Sequence, residues 1–263
     1  DIANIELRPT FVGIVDDSAL GEDVVKKLKN HKVNTDYVMT MPGGMGTWLA
    51  VFDHNGDLAG SISQRPNLMP ILGLLEEKGD EIFANADSVI VEVDMDKDII
   101  KKVVALAKQY NKKLYGVVSN MSIAVERRDF LKHFDCFICN QLEAGMLFME
   151  DYADKSPEEL RDILSKRVIL GKIPAMIVTM GGNGAVYADV NGEKGICPPQ
   201  RVRVKDTTGA GDAFCAGVAS GLTYGKTLSE AVEIGSRLAA SVITSSENVC
   251  PRFLPEEFGI TLD

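Results

Sequence analysis

The chain has 263 residues, 45% hydrophobic and 25% charged, which is ordinary for a globular protein with a sizeable core. Its 38 acidic and 28 basic residues give a formal net charge of −10, which argues against nucleic acid or an anionic membrane surface as the main partner. Because no apolar run approaches the length of a membrane span and no signal peptide is visible, we expect a cytoplasmic protein.

The first quarter of the chain predicts a strand–turn–helix unit and three short strands. Residues 10–15 form a buried apolar run, and residues 20–30 carry apolar positions at helical spacing. The short strands are predicted at residues 37–39, 47–52 and 58–62, with the Asn-Gly hairpin signal at residues 55 and 56 between the last two. We expect all three to form one small separate sheet within about residues 36–64.

From residue 70 onward, predicted strands and helices alternate, which indicates a parallel sheet covered on both faces. Such sheets bind ligands at the carboxyl ends of their strands. The cysteines number five, an odd count without the spacing of a disulfide framework. Cys136 and Cys139 form a C-x-x-C within an apolar strand and have no second pair, so buried thiols are favoured there over zinc or redox roles.

Polar residues follow two of these strands. Asn140 and Glu143 stand three apart after the strand at 136–138, a spacing typical of a helix capping box, or of groups that organise magnesium and phosphate through water. The strand predicted at 175–179 ends at Thr179 and is followed by Gly181 and Gly184, which form either a plain glycine-rich turn or a phosphate-lining loop. A dinucleotide fingerprint is excluded because no helix follows, and the spacing of a Walker A loop is absent.

The central motif is D-T-T-G-A-G-D at residues 206–212, which leads from an apolar-alternating strand end at 203–204 into a predicted buried helix at 213–221. Gly209 and Gly211 would let an oxyanion approach backbone N–H groups, and the first turn of a helix attracts anions through unpaired N–H groups and its dipole. Asp212 lies in that turn, where an ionised carboxylate can accept a proton from an attacking hydroxyl. The pattern favours a phosphoryl-transfer site over a merely structural turn.

The longer string D-T-T-G-A-G-D-A-F at 206–214, followed by Ala216-Gly217, resembles the C-terminal signature of the ribokinase-like (PfkB) family of sugar and nucleoside kinases. The resemblance extends from Thr10 to the loop at Cys250. It implies a single ribokinase-like α/β domain over residues 1–263, with a mostly parallel sheet covered by helices on both faces and a small β-sheet lid. In this family a strand and a sugar-binding segment precede the equivalent of Thr10, so we expect the front portion to be missing here.

The resemblance also implies roles for individual residues. Asn140 and Glu143 match an N-x-x-E element near the magnesium ion, which Glu143 would reach through water. The T-x-G-x-x-G loop, whose backbone lines the phosphates and ribose of ATP, corresponds to Thr179, Gly181 and Gly184.

Further implied roles concern the cation, the adenine and the lid. Asp206 and Thr208 match two positions that can hold a monovalent cation such as K⁺. Asn248 belongs to the loop, after the helix predicted at 228–245, that covers the adenine in this family. The lid in this family excludes water from the site and is often a dimer contact, so we expect a homodimer.

We therefore expect an ATP-dependent kinase that phosphorylates a sugar hydroxyl, as ribokinases and fructokinases do. Asp212 would take the hydroxyl proton, and the N–H groups of Gly209, Ala210 and Gly211 would stabilise the developing charge. A nucleoside kinase of the pseudouridine or inosine type is an alternative. The lid run at 46–51 with its Asn-Gly hairpin signal, and the loop at 245–248, favour the pseudouridine type, while Trp48 is either a stacking residue for the substrate or part of the lid core. A non-catalytic sensor that kept the fold is a further alternative, and an oxidoreductase is opposed by the missing dinucleotide fingerprint.

Overall fold

The computed structural model describes residues 1–52, 58–118 and 125–262. The chain divides into two compact units, one comprising residues 8–78 and the other residues 1–7 together with 79–263. The hairpin turn predicted at residues 55 and 56 lies outside the described residues, and the single domain expected over 1–263 stays a prediction. None of the helices in the described ranges is long and apolar enough to cross a membrane.

The unit of residues 8–78 contains two small sheets. Strand β1 (Thr10–Val15), helix α1 (Ala19–Asn30) and strand β2 (Asn34–Thr40) form a β-α-β unit in which the strands pair in parallel. Strands β3 (Thr47–Phe52) and β4 (Leu58–Gln64) form a separate antiparallel pair. Helix α2 (Pro70–Ala84) follows along the chain.

The prediction that the strand at residues 37–39 belongs to the same sheet as β3 and β4 was wrong. That strand is part of β2, where Tyr37 is the register partner of Val12 in β1. The alternation of apolar residues indicates where a strand lies but not which strand pairs with it. Here β2 pairs with β1, to which it is connected by the crossover helix α1. The small antiparallel sheet therefore comprises β3 and β4 in the described residues.

The other unit is built on a six-stranded sheet with the order β10-β9-β8-β7-β6-β5. Strands β5 to β8 are parallel to one another, whereas β9 and β10 are antiparallel additions, which confirms the mostly parallel sheet. The strands are β5 (Ser88–Glu92), β6 (Lys113–Val117), β7 (Cys136–Asn140), β8 (Ala175–Thr179), β9 (Ala185–Asp189) and β10 (Lys194–Cys197).

Helices cover this sheet. The bounds are α3 (Lys97–Gln109), α4 (Gln141–Phe148), α5 (Pro157–Gly171), α6 (Ala210–Thr223) and α7 (Leu228–Ile243), with 3-10 turns at Ile2–Ile5, Val125–His133, Gly181–Asn183 and Pro255–Phe258. One face of the sheet packs under α6 and α7, where Ile138 and Ile177 meet Phe214 and Val232. Strand residues of the opposite parity, such as Phe137, are also buried, so both faces are covered.

Helices α6 and α7 cross closely because glycines line their contact. A Cβ atom added to Gly217 would come within 2.7 Å of the Gly235 Cα, and one added to Gly235 would come within 2.7 Å of the Phe214 carbonyl oxygen. Ala231 on α7 is fully buried. This contact fixes α6, the helix that follows the central motif, against the rest of its unit.

The segment just before the central motif differs from its prediction. Residues 203–204, predicted as a strand end, and the two residues before them form no strand. Val202 and Val204 are 39% and 54% exposed, and the next residue, Lys205, donates its N–H to the Ile243 carbonyl at 2.8 Å. The chain therefore approaches α6 along the end of α7, without strand pairing.

Candidate active site

Helix α6 begins with an open N-terminus. Its N-cap is Gly209 in the left-handed conformation (φ 85°), and no side chain caps the first turn. Within the described residues the N–H groups of Gly211 and Asp212 have no hydrogen-bond acceptor, whereas Ala210 N–H donates to the Thr207 carbonyl at 3.2 Å. The structure therefore differs from the expectation for Ala210, because its N–H is already engaged in closing the turn. Two free donors and the positive helix end remain for an anion.

The two glycines of the motif, Gly209 and Gly211, differ in the space that a side chain would have. A Cβ atom on Gly209 would lie 2.2 Å from the carbonyl oxygen of Asn248, so the loop after α7 packs directly on this glycine. A Cβ atom on Gly211 would meet nothing within 4 Å. Gly209 is thus required by its positive φ and by packing, while the space in front of Gly211 is open. The predicted site residues Gly209 and Asn248 are brought into contact.

Asp212 lies exposed in the first turn of α6, one turn before the thiol of Cys215. Burial raises the pKa of Cys215 well above its usual range, and the negative charges of Asp212, Glu92 and Glu143 raise it further. Carboxylates from α6, the end of β5 and the start of α4 therefore all act electrostatically on the Cys215 thiol. The carboxyl ends of the parallel strands meet the start of α6 here, as expected for a ligand site in this class of sheet.

Glu92 and its neighbour Asp94 were not singled out from the sequence. Asp94 is 8% exposed, and its negative charge contributes to raising the pKa of Glu143. The signal was present in the sequence, because a Glu-x-Asp pair stands at the end of the predicted strand. Such a pair ends at the same edge of the sheet as the predicted site.

Asn140 and Glu143 form a complete capping box at the start of α4. The Asn140 side chain accepts the Glu143 N–H at 2.9 Å, and the Glu143 carboxylate accepts the Asn140 N–H at 2.7 Å. The capping interpretation left open by the sequence is therefore confirmed. Burial raises the pKa of Glu143, the hydrogen bond from Asn140 opposes that rise, and the charge of Asp94 adds to it. Glu143 is half-buried, and its carboxylate keeps acceptor capacity beyond the bond from Asn140.

The loop after β8 lies beside this capping box. Thr179 is the register partner of Asn140 across β7 and β8. Gly181 and Gly184 both have positive φ, 54° and 86°. A Cβ atom on Gly184 would lie 2.1 Å from the Cys197 carbonyl oxygen, whereas one on Gly181 would meet nothing within 4 Å. Gly184 packs the turn against β10, and Gly181 presents open backbone.

Asp206 and Thr208, the predicted cation ligands, form a local turn. Asp206 Oδ1 accepts the Thr208 N–H at 2.8 Å, and both residues are exposed. This backbone hydrogen bond, with others from Thr208 and Thr207, lowers the pKa of Asp206. The carboxylate is therefore charged at neutral pH and is held directly before the open end of α6.

The carboxylates near the start of α6 fit a magnesium ion that is bound together with phosphate. Within the described ranges, no three His, Cys, Asp or Glu side chains are grouped so as to hold a metal ion. Mg²⁺ is ordinarily held by one or two carboxylates together with substrate phosphates and water, not by a cage of protein ligands. The carboxylates of Glu143 and Asp212, together with the uncapped N-terminus of α6, are oxygen donors of the kind that suits an ion arriving with a nucleotide.

Residues 2–250 match the pfkB family carbohydrate kinase. The guanosine-inosine kinase of Exiguobacterium acetylicum is 35% identical over 246 residues, covering 90% of this chain and 78% of that protein. The pseudouridine kinase of Escherichia coli is 23% identical over 235 residues, covering 85% of this chain and 70% of that protein. The match across nearly the whole chain confirms the resemblance read from the central motif.

The fold agrees with this assignment. The Arabidopsis thaliana ribokinase, solved in complex with ribose and ATP, superposes with a TM-score of 0.81 over 99% of this chain and 84% of that one, at 20% identity. The ribokinase-like α/β fold predicted from the sequence is therefore confirmed. The chain belongs to the PfkB family of carbohydrate kinases and is a kinase of sugars or nucleosides.

Proposed function

We propose that this kinase transfers the γ-phosphate of ATP to a hydroxyl of a purine nucleoside. The observation that carries the proposal is the 35% identity to a guanosine-inosine kinase over 90% of the chain, against 23% for the pseudouridine kinase. The sequence alone placed a sugar first, with nucleosides as the alternative. The likeness to the ribokinase structure, at 20% identity, supports the fold only. A nucleoside is therefore better supported than a sugar as the phosphate acceptor.

In the proposed mechanism, Asp212 accepts the proton of the attacking hydroxyl, since its carboxylate is exposed at the open end of α6. The N–H group of Gly211, with that of Asp212, stabilises the charge that develops on the transferred phosphoryl group. Gly209 and Ala210 shape the turn that presents these donors. The positive end of α6 adds to the stabilisation without reorganisation.

The nucleotide is proposed to lie along the neighbouring edge of the sheet. Thr179, Gly181 and Gly184 would line its phosphates, with the open backbone at Gly181 offering the closest approach. Asn248 would lie beside the adenine, because its loop packs on Gly209.

Two cations belong to this proposal. Mg²⁺ would neutralise the phosphates and be oriented through water by Glu143, whose carboxylate is half-buried at the edge of the site. K⁺ would be held near Asp206 and Thr208, where a charged carboxylate and a hydroxyl precede the open helix end. Omitting K⁺ should therefore reduce turnover without abolishing it.

We also propose a homodimer formed through the β3–β4 hairpin. Leu49, Val51 and Ile62 share one face of this sheet and are 56%, 54% and 68% exposed, and Trp48 on the other face is 62% exposed. An isolated two-stranded sheet is marginally stable in water, and a contiguous apolar surface marks an interaction site. Light scattering should report a dimer, and Ile62→Asp should convert it to monomer.

We further propose a cytoplasmic location. All five cysteines are free, and reduced thiols and ATP use fit a cytoplasmic enzyme.

The test is an ADP-release assay with guanosine, inosine, pseudouridine, ribose and fructose, each with ATP and Mg²⁺ and with or without K⁺. We expect guanosine or inosine to exceed the ATPase background and the other acceptors. Preferred turnover of ribose or fructose would overturn the nucleoside assignment and restore the sugar kinase. Preferred turnover of pseudouridine would retain the nucleoside class and overturn the purine choice.

A further inference from the structure

Residues 1–7, here called the N-terminal clasp, bind the loop that packs on Gly209. Cys250 lies two residues after Asn248, and both of its backbone groups are bound by the clasp. Its N–H donates to the Asp1 carboxylate at 2.7 Å, and its carbonyl accepts the Asn4 side-chain amide at 2.6 Å. The end of the loop is therefore fixed on both sides by residues almost 250 positions away in the sequence.

Asn4 makes the central contact of the clasp. It is 8% exposed, one of four buried polar or charged residues in the described part of the chain. While its side chain donates to Cys250, its own carbonyl accepts the N–H of Phe253 at 2.8 Å. A buried amide that bonds the backbone of a loop fixes that loop in one register, because losing either bond would leave a buried polar group unpaired.

The clasp also touches the helix that carries Asp212. Ile5 is fully buried and packs in one apolar cluster with Ala213, the residue after Asp212, and with Cys250. The same short segment thus contacts the first turn of α6 and the loop that lies on Gly209. The two elements carry Asp212 and Asn248, which the proposed function places at the phosphates and the adenine.

We infer that Asn4 is a positioning residue for nucleotide binding, acting through Cys250 to hold Asn248 against Gly209. This inference rests on the proposed function, since it assumes that ATP binds beside this loop. Asn4 itself touches no reacting atom in this account. Its hydrogen bond sets where the loop backbone lies, and thereby the shape of the nucleotide site.

The test compares a variant of the clasp with a control variant outside it, by ATP affinity and by thermal stability. Asn4→Ala removes the bond to Cys250, so we expect the Kd for ATP, measured by calorimetry, to rise about tenfold. The KM for ATP should rise in parallel while kcat falls far less. Val168→Ala is the control, because it removes two buried methyl groups from α5, outside the clasp, and should lower the melting temperature without changing the Kd for ATP.

The outcomes separate the inference from the proposed function. If the unaltered protein binds no ATP, the proposed function fails. If the unaltered protein binds ATP and Asn4→Ala leaves the Kd unchanged, the positioning role is overturned while the kinase assignment stands. An equal rise in Kd for Val168→Ala would also overturn it, because the effect would then reflect stability alone. Should Asn4→Ala not fold, Asn4→Ser, which keeps a donor hydroxyl, should fold and show a smaller rise in Kd, and an unchanged Kd would count against the role.

Discussion

Two helix N-termini meet at the same edge of the sheet, and they are built in opposite ways. Helix α4 starts with the Asn140–Glu143 capping box, in which side chains satisfy the N–H of Glu143 and the N–H of Asn140 itself. Helix α6 starts at Gly209, with no side-chain cap and with two first-turn N–H groups lacking an acceptor in the described residues. Each start leaves two N–H groups without an acceptor in the described residues, those of Gln141 and Leu142 on α4 and those of Gly211 and Asp212 on α6. The two starts differ at the third helical position, where the Glu143 N–H is capped by a side chain and the Asp212 N–H is open.

The difference teaches that a carboxylate in a first helical turn does not by itself indicate a function. Glu143 uses its carboxylate to accept a backbone N–H, so part of its capacity is structural. Asp212 makes no such bond within the described residues and stays available to a ligand. The predictions below separate these two kinds of helix start, in order of expected effect.

Asp212→Asn should show the largest effect. Removing the base while keeping the shape should lower kcat by about a thousandfold, because general bases typically contribute that much. ATP affinity and the melting temperature should change little, since Asp212 is exposed and caps nothing in the described structure. Unchanged turnover, measured by ADP release, would remove Asp212 from the base role.

Gly209→Ala should have the next largest effect. An alanine there must adopt a φ of 85° and would collide with the Asn248 carbonyl, so we expect a loss of about 2 kcal/mol in unfolding free energy and weaker ATP binding. Gly211→Ala is the matched control, because its Cβ would meet open space. That variant should keep or gain stability yet raise the Kd for ATP if phosphate lies there. Equal stability losses for both variants would contradict the assignment.

Asn140→Ala tests whether the capped helix start has more than a structural role. Losing the cap should cost about 1 kcal/mol in unfolding free energy. Ser156→Ala is the matched control, because Ser156 and Glu159 form the same box at the start of α5. We expect equal stability losses in urea denaturation, with a raised Mg²⁺ requirement for Asn140→Ala alone. An unchanged Mg²⁺ requirement would leave Asn140 with capping only.

The smallest effect concerns pH. Burial holds the pKa of Glu143 above its ordinary 4.5, so its contribution to stability is present at low pH and is lost as the pH rises through the folded-state pKa. The hydrogen bond from Ser156 N–H and the charge of Lys155 lower the pKa of Glu159, so its contribution is present above the unfolded pKa and is lost as the pH falls.

Unfolding free energies at several pH values check these signs. Relative to the unaltered protein, Glu143→Gln should gain stability as the pH rises above 4.5, and Glu159→Gln should gain as the pH falls. Parallel pH profiles for the two variants would show that burial does not distinguish the two carboxylates.

Much of the fold and of the candidate site could be predicted because the signals were local. The parallel strands are short apolar runs, and the open start of α6 is indicated by the nine consecutive residues 206–214. The capping box at Asn140 is likewise a contact between residues three apart. Each of these features is decided by neighbours along the chain.

The features that were missed depend on partners distant in the sequence. Strand β2 pairs with β1, which lies on the other side of a helix in the sequence, and the alternation of residues 37–39 does not indicate this pairing. Asn4 bonds to a residue 246 positions away, so no local pattern marks it. The requirement for glycine at 209 also comes from a distant loop, because the Asn248 carbonyl occupies the space of a side chain.

The central claim is that the open start of α6 binds the phosphates of ATP. The most direct measurement is to label the protein with ¹⁵N-glycine and to follow the amide signals of Gly211 and Gly192 while ATP and Mg²⁺ are added. Gly192, in the turn between β9 and β10, serves as a reference outside the proposed site. A saturable shift of Gly211, with Gly192 unmoved, is the result this account predicts. Saturation with ATP that leaves the Gly211 amide unshifted would contradict it.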